Sequence, residues 1–266
     1  MKTRFLTGCF LCLAAVLPLT AQVVMDDFAT GEKWTTSGVA PLGNGSTSFG
    51  TNRLNYLVNT PTPQDMAGQR WLPSVGLFDN AWSVQVDVHL VDPSLTAGQF
   101  AYLNLDVSNG SNTMTVAIER FYTGFMAYEG FVGRVNDTAL PGFFGVANVT
   151  DSTLNISYAT AAGGTLTASF SSLTYDGGIS HNFATLSGVG SAWSMTTGST
   201  FNITLFGLSG VYPPEGPGPT ITSASDAYFS NFQATGLTAV PEPSTYAAIM
   251  GVAALGVAAI RRRTKS

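Results

Sequence analysis

Six side chains could together hold a polar ligand: Asp87, His89, Tyr102, Asn104, Asp106 and Glu119. They come from three successive stretches, SVQVDVHLV, FAYLNLDVS and TMTVAIERF. Carboxylates and amides bind hydroxyl groups, and an aromatic ring offers its face to the apolar side of a sugar. If the three stretches are neighbours in one sheet, their polar faces make a candidate glycan-binding stripe with Tyr102 and Phe121 beside it. The opposing reading is an ordinary water-facing sheet. Hydrolysis of a glycosidic bond needs two carboxyl groups at a defined separation. Glu119 and Glu129 are ten residues apart, and adjacent strands could bring them face to face. No strand carries a compact Glu-x-Asp-x-Glu or Glu-x-Asp-x-x-Glu series, so no catalytic residue is assigned.

Other chemistries find little support. His89 and His181 stand far apart in the sequence, without metal-ligand spacing. The acidic turns YDGG (Tyr175–Gly178) and SDAY (Ser225–Tyr228) could supply oxygen ligands to a structural Ca²⁺, although neither has the spacing of an EF-hand loop. No cofactor is therefore expected, the metal question stays open, and a structural Ca²⁺ remains possible. There is no Gly-x-Ser-x-Gly elbow and no Walker or dinucleotide-binding glycine pattern.

The elements that must position these residues are strands. Val84, Val86, Val88 and Leu90 alternate with Gln85, Asp87 and His89; Ala101, Leu103, Leu105 and Val107 alternate with Tyr102, Asn104 and Asp106. Met114, Val116 and Ile118 oppose Thr115, Ala117 and Glu119, and TLNISYA, GTLTASFSSLTY, FNITLFGLSG and AYFSNFQATGL continue the pattern. Period-two alternation separated by Gly-rich turns such as SNGSN and AAGG predicts an all-β, two-sheet antiparallel sandwich, with a hairpin over Ser157 to Tyr175. GVYPPEGPGPT (Gly210 to Thr220) reads as a stiff surface loop inside one domain spanning 22–239.

Charge is unevenly distributed. Between Val23 and Ala239 there are five basic residues against fifteen acids, a net charge of −10. No basic patch is available to neutralise phosphates, so no nucleic-acid partner is expected. The remaining basic residues crowd the two ends. MKTRFLTGCFLCLAAVLPLTAQ has a basic start, an apolar run and a small residue before a cleavage site, the layout of a secretory signal peptide over residues 1–21. Both cysteines, Cys9 and Cys12, fall inside it, so the mature chain would have no disulfide or thiolate chemistry. Residues 240–266 form a third segment: two prolines, a short uncharged run from Tyr246 to Ile260, and Arg261, Arg262 and Arg263. A 15-residue helix spans roughly 22 Å against a hydrocarbon core of about 30 Å, so the segment is a marginal membrane span. A temporary anchor and a permanent one both fit this composition. In either case the arginines are held on the cytoplasmic side.

The segment from Val240 resembles the PEP-CTERM protein-sorting signal in its Pro-Glu-Pro triplet, its short apolar helix and its terminal arginine cluster. The resemblance implies Pro241, Glu242 and Pro243 as recognition residues and Arg261, Arg262 and Arg263 as the retention cluster. It also implies an exosortase and the export machinery as partners, a transient inner-membrane anchor, and delivery to the cell envelope or extracellular matrix of a Gram-negative cell. The body, opening with VVMDDF and closing with a strand containing Asn231 and Phe232, resembles the concanavalin A-like lectin/glucanase jelly roll. The expected function is a non-catalytic structural, adhesive or exopolysaccharide-binding role. A polysaccharide-active enzyme of jelly-roll type, hydrolase or lyase, is the alternative.

Overall fold

The computed structural model describes residues 22–36, 39–71, 78–91, 94–136, 138–139, 144–145, 149–193 and 201–237. The signal segment (1–21) and the sorting segment (240–266), with Pro241, Glu242, Pro243 and Arg261–Arg263, lie outside them. In chain order the strands are β1 Gln22–Asp26, β2 Trp34–Thr35, β3 Ser46–Gly50, β4 Arg53–Leu57, β5 Gln64–Trp71, β6 Phe78–Leu90, β7 Gln99–Ser108 and β8 Thr113–Tyr122. They continue as β9 Ala127–Val135, β10 Thr138–Ala139, β11 Phe144–Gly145, β12 Asp151–Ala159, β13 Thr165–Ser172, β14 Ser180–Ser187, β15 Asn202–Val211 and β16 Ala227–Leu237. A one-turn helix, α1 (Leu173–Asp176), joins β13 to β14.

Two antiparallel sheets form. Sheet A runs β14-β13-β12-β6-β16-β4-β3, with β1 also paired to β16; sheet B runs β10-β9-β8-β7-β15-β5-β2, with β11 also paired to β9. The expected alternation is realised: Val84, Val86, Val88 and Leu90 from sheet A and Ala101, Leu103, Leu105, Val107, Met114, Val116 and Ile118 from sheet B are buried in one shared core. Side chains three apart in the closing strand break the pattern for a reason. Asn231 takes a positive φ of 49°, and the register of β16 against β6 shifts between Ser230 and Gln233. This bulge lets Phe229 and Phe232 both point into the core, where Phe232 packs at 4.7 Å against Trp71 and 5.1 Å against Trp34.

Two polar contacts join the sheets. Tyr56 of β4 lies flat over Gly207 of β15, and its hydroxyl donates to the Asp65 carbonyl (2.9 Å) while standing 2.9 Å from Ser209 Oγ. Burial pushes the Tyr56 phenol well above its ordinary pKa, so it stays a donor. Arg120 of β8 points inward, donates through Nε to the Leu90 carbonyl at 2.9 Å, reaches Thr150 Oγ1 at 3.0 Å, and pairs with Glu129 of β9.

The two ends of the described body leave side by side. Gln22 of β1 pairs with Leu237 of β16, which also pairs with Phe78 at the start of β6. The β7–β8 turn belongs to this same exit end, since Asn109 Nδ2 donates to the Ala192 carbonyl (3.0 Å) and Trp82 Nε1 to that of Trp193 (2.7 Å).

A methyl group on Gly207 would sit 2.1–2.4 Å from ring carbons of Tyr56. Gly207→Ala should therefore destabilise the domain by about 3 kcal/mol in a urea titration. The same substitution in a Tyr56→Ala background should cost much less.

Candidate functional site

The structure divides the six candidate residues. β6 and β7 belong to opposite sheets, so Asp87 and His89 face outward from sheet A while Tyr102, Asn104, Asp106 and Glu119 lie on the outward side of sheet B. The expected single stripe does not form. The connection from Val91 to Gly98 is too long for a tight hairpin and carries the chain from one sheet to the other. Glu119 and Glu129 also separate. Glu119 pairs with Gly130 and points outward, whereas Glu129 pairs with Arg120 and points inward, so the two carboxylates occupy opposite faces of one sheet.

The sheet B group is largely satisfied by its own members. Tyr102 Oη donates to Glu119 Oε1 at 2.5 Å, and the Arg134 guanidinium lies 5.7 Å from the centre of the Tyr102 ring. Asn104 is buried and donates to the Phe206 carbonyl at 3.4 Å. Asp106 is half-buried opposite Thr115 and Thr204. Phe121, expected beside the stripe, stacks on Tyr128 instead. Burial raises the Glu119 pKa, opposed by the Tyr102 hydrogen bond and the charge of Arg134. Burial likewise raises that of Tyr102.

The sheet A group is open. Antiparallel register places Asp151 of β12, His89 of β6 and Tyr228 of β16 in one row that continues to Asn55 of β4, and Arg53, two residues before Asn55, reaches back to Tyr228. His89 Nδ1 donates to Asp151 Oδ1 at 2.6 Å, the His89 and Tyr228 rings stack at 4.6 Å and 13°, and the Arg53 guanidinium sits 4.3 Å from the Tyr228 centroid. In the next row Asp87 accepts from Thr153 Oγ1 (2.6 Å) and, because the β16 bulge turns Asn231 outward, from Asn231 Nδ2 (2.8 Å). Asp87, His89, Asp151, Thr153 and Tyr228 line a depression of about 300 Å³ whose further wall is Leu173, Thr174 and Ser171; Arg53 and Asn231 support it from outside its lining. Both faces of Tyr228 are occupied, so the row presents polar edges to a ligand: carboxylate oxygens, imidazole Nε2 and phenol hydroxyl. Such edges exchange hydrogen bonds with hydroxyl groups.

Sequence reasoning named Asp87 and His89 but missed Asp151, Thr153, Tyr228, Asn231 and Arg53. Thr153 stood in the alternation of TLNISYA and Tyr228 in that of AYFSNF, but nothing in the sequence says that these two strands flank β6.

The acidic turns spend their carboxylates locally. Asp176 contacts His181 and accepts from the Ile179 N–H at 3.2 Å; the His181 hydrogen bond holds it below the usual carboxylate range. Asp226 accepts from the Ser223 N–H at 3.3 Å. Among the described residues no group of three or more His, Cys, Asp or Glu side chains is arranged to hold a metal ion.

A carboxyl group whose pKa is raised by folding favours the folded state fully below its unfolded value, and that contribution is lost as pH rises through the folded value. Glu119→Gln keeps an acceptor for Tyr102 and cannot ionise. The Tm of the variant relative to the parent should therefore climb as pH rises above the ordinary glutamate value of about 4. A difference that does not change with pH would show that Glu119 ionises freely.

Residues 239–263 match the PEP-CTERM protein-sorting motif, which marks an exported protein sorted to the cell envelope. No curated protein matches the sequence. Among solved structures, the fold is similar to the CBM2 module of the evolved Dit of Lactobacillus casei BL23 phage J-1, at 9% identity and a TM-score of 0.50, over 82% of this chain and 98% of that one. Lectin II from Ulex europaeus aligns at 13% identity and a TM-score of 0.45 over 80% of this chain and 97% of that one. A legume lectin-like domain from Entamoeba histolytica aligns at 10% and 0.40 over 72% and 86%. At these identities the likeness speaks to the fold alone. The chain thus joins a two-sheet antiparallel β-sandwich to a PEP-CTERM sorting motif that begins two residues beyond its last described strand.

Proposed function

We propose that the protein is a non-catalytic glycan-binding component of the cell envelope or extracellular matrix, processed at Pro241–Pro243 by an exosortase and engaging exopolysaccharide through the depression on sheet A. The observation that carries this reading is the row Asp151–His89–Tyr228–Arg53 with Asp87 beside it. Five polar groups are fixed by each other and by the strand register, and four of them, Asp87, His89, Asp151 and Tyr228, line an open depression. Hydroxyl-rich ligands suit such edges, because each hydroxyl can both donate and accept. The sorting motif supports the location, and the sandwich fold is compatible with the role.

The enzymatic alternative has one specific observation in its favour. Asp87 and Asp151 sit on neighbouring strands, one residue pair apart on the same face. Paired acids around a glycosidic bond would hydrolyse it. Against this, Asp151 is already engaged by His89, and Asp87 accepts two hydrogen bonds.

The test is retention of the exported protein on exopolysaccharide beads, scored together with release of reducing sugar. His89→Ala and Tyr228→Ala should each weaken retention about tenfold or more, the cost of roughly 1.4 kcal/mol, while Tyr102→Phe leaves it unchanged. Sugar release that disappears in Asp87→Asn or Asp151→Asn would replace the binding reading with the enzymatic one. Separately, alanine at Pro241, Glu242 and Pro243 should leave a C-terminal epitope uncleaved in the host.

A further inference from the structure

The sandwich has two unlike ends. At the exit end the turns Ser108–Thr113, Ala159–Thr165 and Ser187–Trp193 contain no charged residue and are built of Ser, Thr, Asn, Gly and Ala with single Val and Trp residues. At the far end lie Glu129, Asp151, Asp176, Glu215 and Asp226. The apolar side chains exposed there include Phe125 (95% exposed), Leu173 (75%), Tyr212 (74%) and Ile179 (61%). Arg120 shows that these far-end loops of the two sheets coincide, because it joins Glu129 on sheet B to Leu90 and Thr150 on the sheet A side.

The length of the tether decides which end can meet a membrane. Eight residues lie between Leu237 and Tyr246, where the uncharged run begins. Nine peptide steps reach at most about 32 Å, and crossing the headgroup layer uses about 6 Å of that. The eleven residues of β16 alone extend roughly 36 Å towards the far end. A body whose tether starts at the exit end cannot turn over and set its far end on the bilayer.

Resting on the reading of the tail as a membrane anchor until the exosortase processes it, we infer that the unprocessed sandwich stands on the bilayer on its neutral exit-end turns, which meet lipid headgroups, and that the exposed apolar turns face away. Charge favours the same arrangement, although Asp79, next to Phe78 in β6, is an acid at the exit end. The body carries −10 overall, and an anionic headgroup surface repels acids within a Debye length of about 8–10 Å. The far-end acids lie several such lengths away. The hydroxyl and amide side chains of the exit end can donate to phosphate and ester oxygens without any ionic term.

Because cysteine occurs only at positions 9 and 12, the full chain carrying Cys9→Ser and Cys12→Ser accepts single labels cleanly. A bimane label is placed at Ser111→Cys or Ala161→Cys on the exit end, or at Phe125→Cys or Glu215→Cys on the far end. All four sites are exposed. The labelled chains are reconstituted into phosphatidylethanolamine–phosphatidylglycerol vesicles containing lipid with a nitroxide on its headgroup. Quenching should be several-fold stronger at the two exit-end sites than at the far-end sites. It should fade when about twelve Gly and Ser residues are inserted after Thr238, since a flexible linker frees the body. Quenching at Phe125→Cys as strong as at Ser111→Cys overturns the orientation. So does a vesicle-bound chain with no quenching at any site, which would leave the exit end to a protein partner. A chain that fails to float with vesicles sinks the membrane reading of the tail itself.

Discussion

The last strand of the body sits in the middle of its sheet. β16 is hydrogen-bonded along one edge to β6 and along the other to β4 and then β1. Sheet A cannot close until residues 227–237 are available, and the partners they meet lie about 140 to 210 residues earlier in the chain. The same strand fixes where the tail departs, turns Asn231 out to Asp87, and brings Tyr228 beside His89. A pull applied beyond Leu237 would load β16 in shear between paired neighbours.

Residues 22–237 contain no cysteine, so the sandwich relies on burial and on polar contacts placed where the sheets meet. Arg120 and Glu119 are sequence neighbours with opposite solutions to the same electrostatic problem. Arg120 faces inward and is only 4% exposed, yet it has a carboxylate, a carbonyl and a hydroxyl as partners, so its charge is compensated. Glu119 faces outward, has one phenol donor and a nearby guanidinium, and is left with a raised pKa. Alternation set the direction of each. What each direction held was decided by β9 and by the end of β6.

That distinction also marks what could be read from the sequence. Alternation told which face of a strand points inward, and the buried rows of β6, β7, β8, β12 and β13 follow it. It says nothing about which strands are neighbours, because a Val-rich row fits the inner face of either sheet. Asp87 and His89 were therefore grouped with Tyr102 and Asn104, which lie on the opposite side of the molecule, and were not grouped with Asp151 and Tyr228, their true neighbours. Ala117 stood on a face read as polar and is fully buried. Phe229 and Phe232 violate the period, and only the positive φ of Asn231 reconciles them. The turns were easier, since their signals are local: SNGSN and AAGG close the β7–β8 and β12–β13 hairpins as expected.

The form of the sheet A site constrains how it can work. A depression of about 300 Å³ is at the small end for a ligand site, and it is open to solvent. With both faces of Tyr228 covered by His89 and Arg53, no aromatic platform is free to bury a sugar ring, and binding rests on hydrogen bonds made in competition with water. Each such bond is worth little net free energy, so on the proposed reading one site would hold one short stretch of glycan weakly. A polymer offers the same stretch many times, and once one copy is engaged the next would bind at the raised effective concentration set by the polymer between them. On that reading a weak, shallow site is no defect: many copies would grip a polysaccharide collectively while each contact stays reversible.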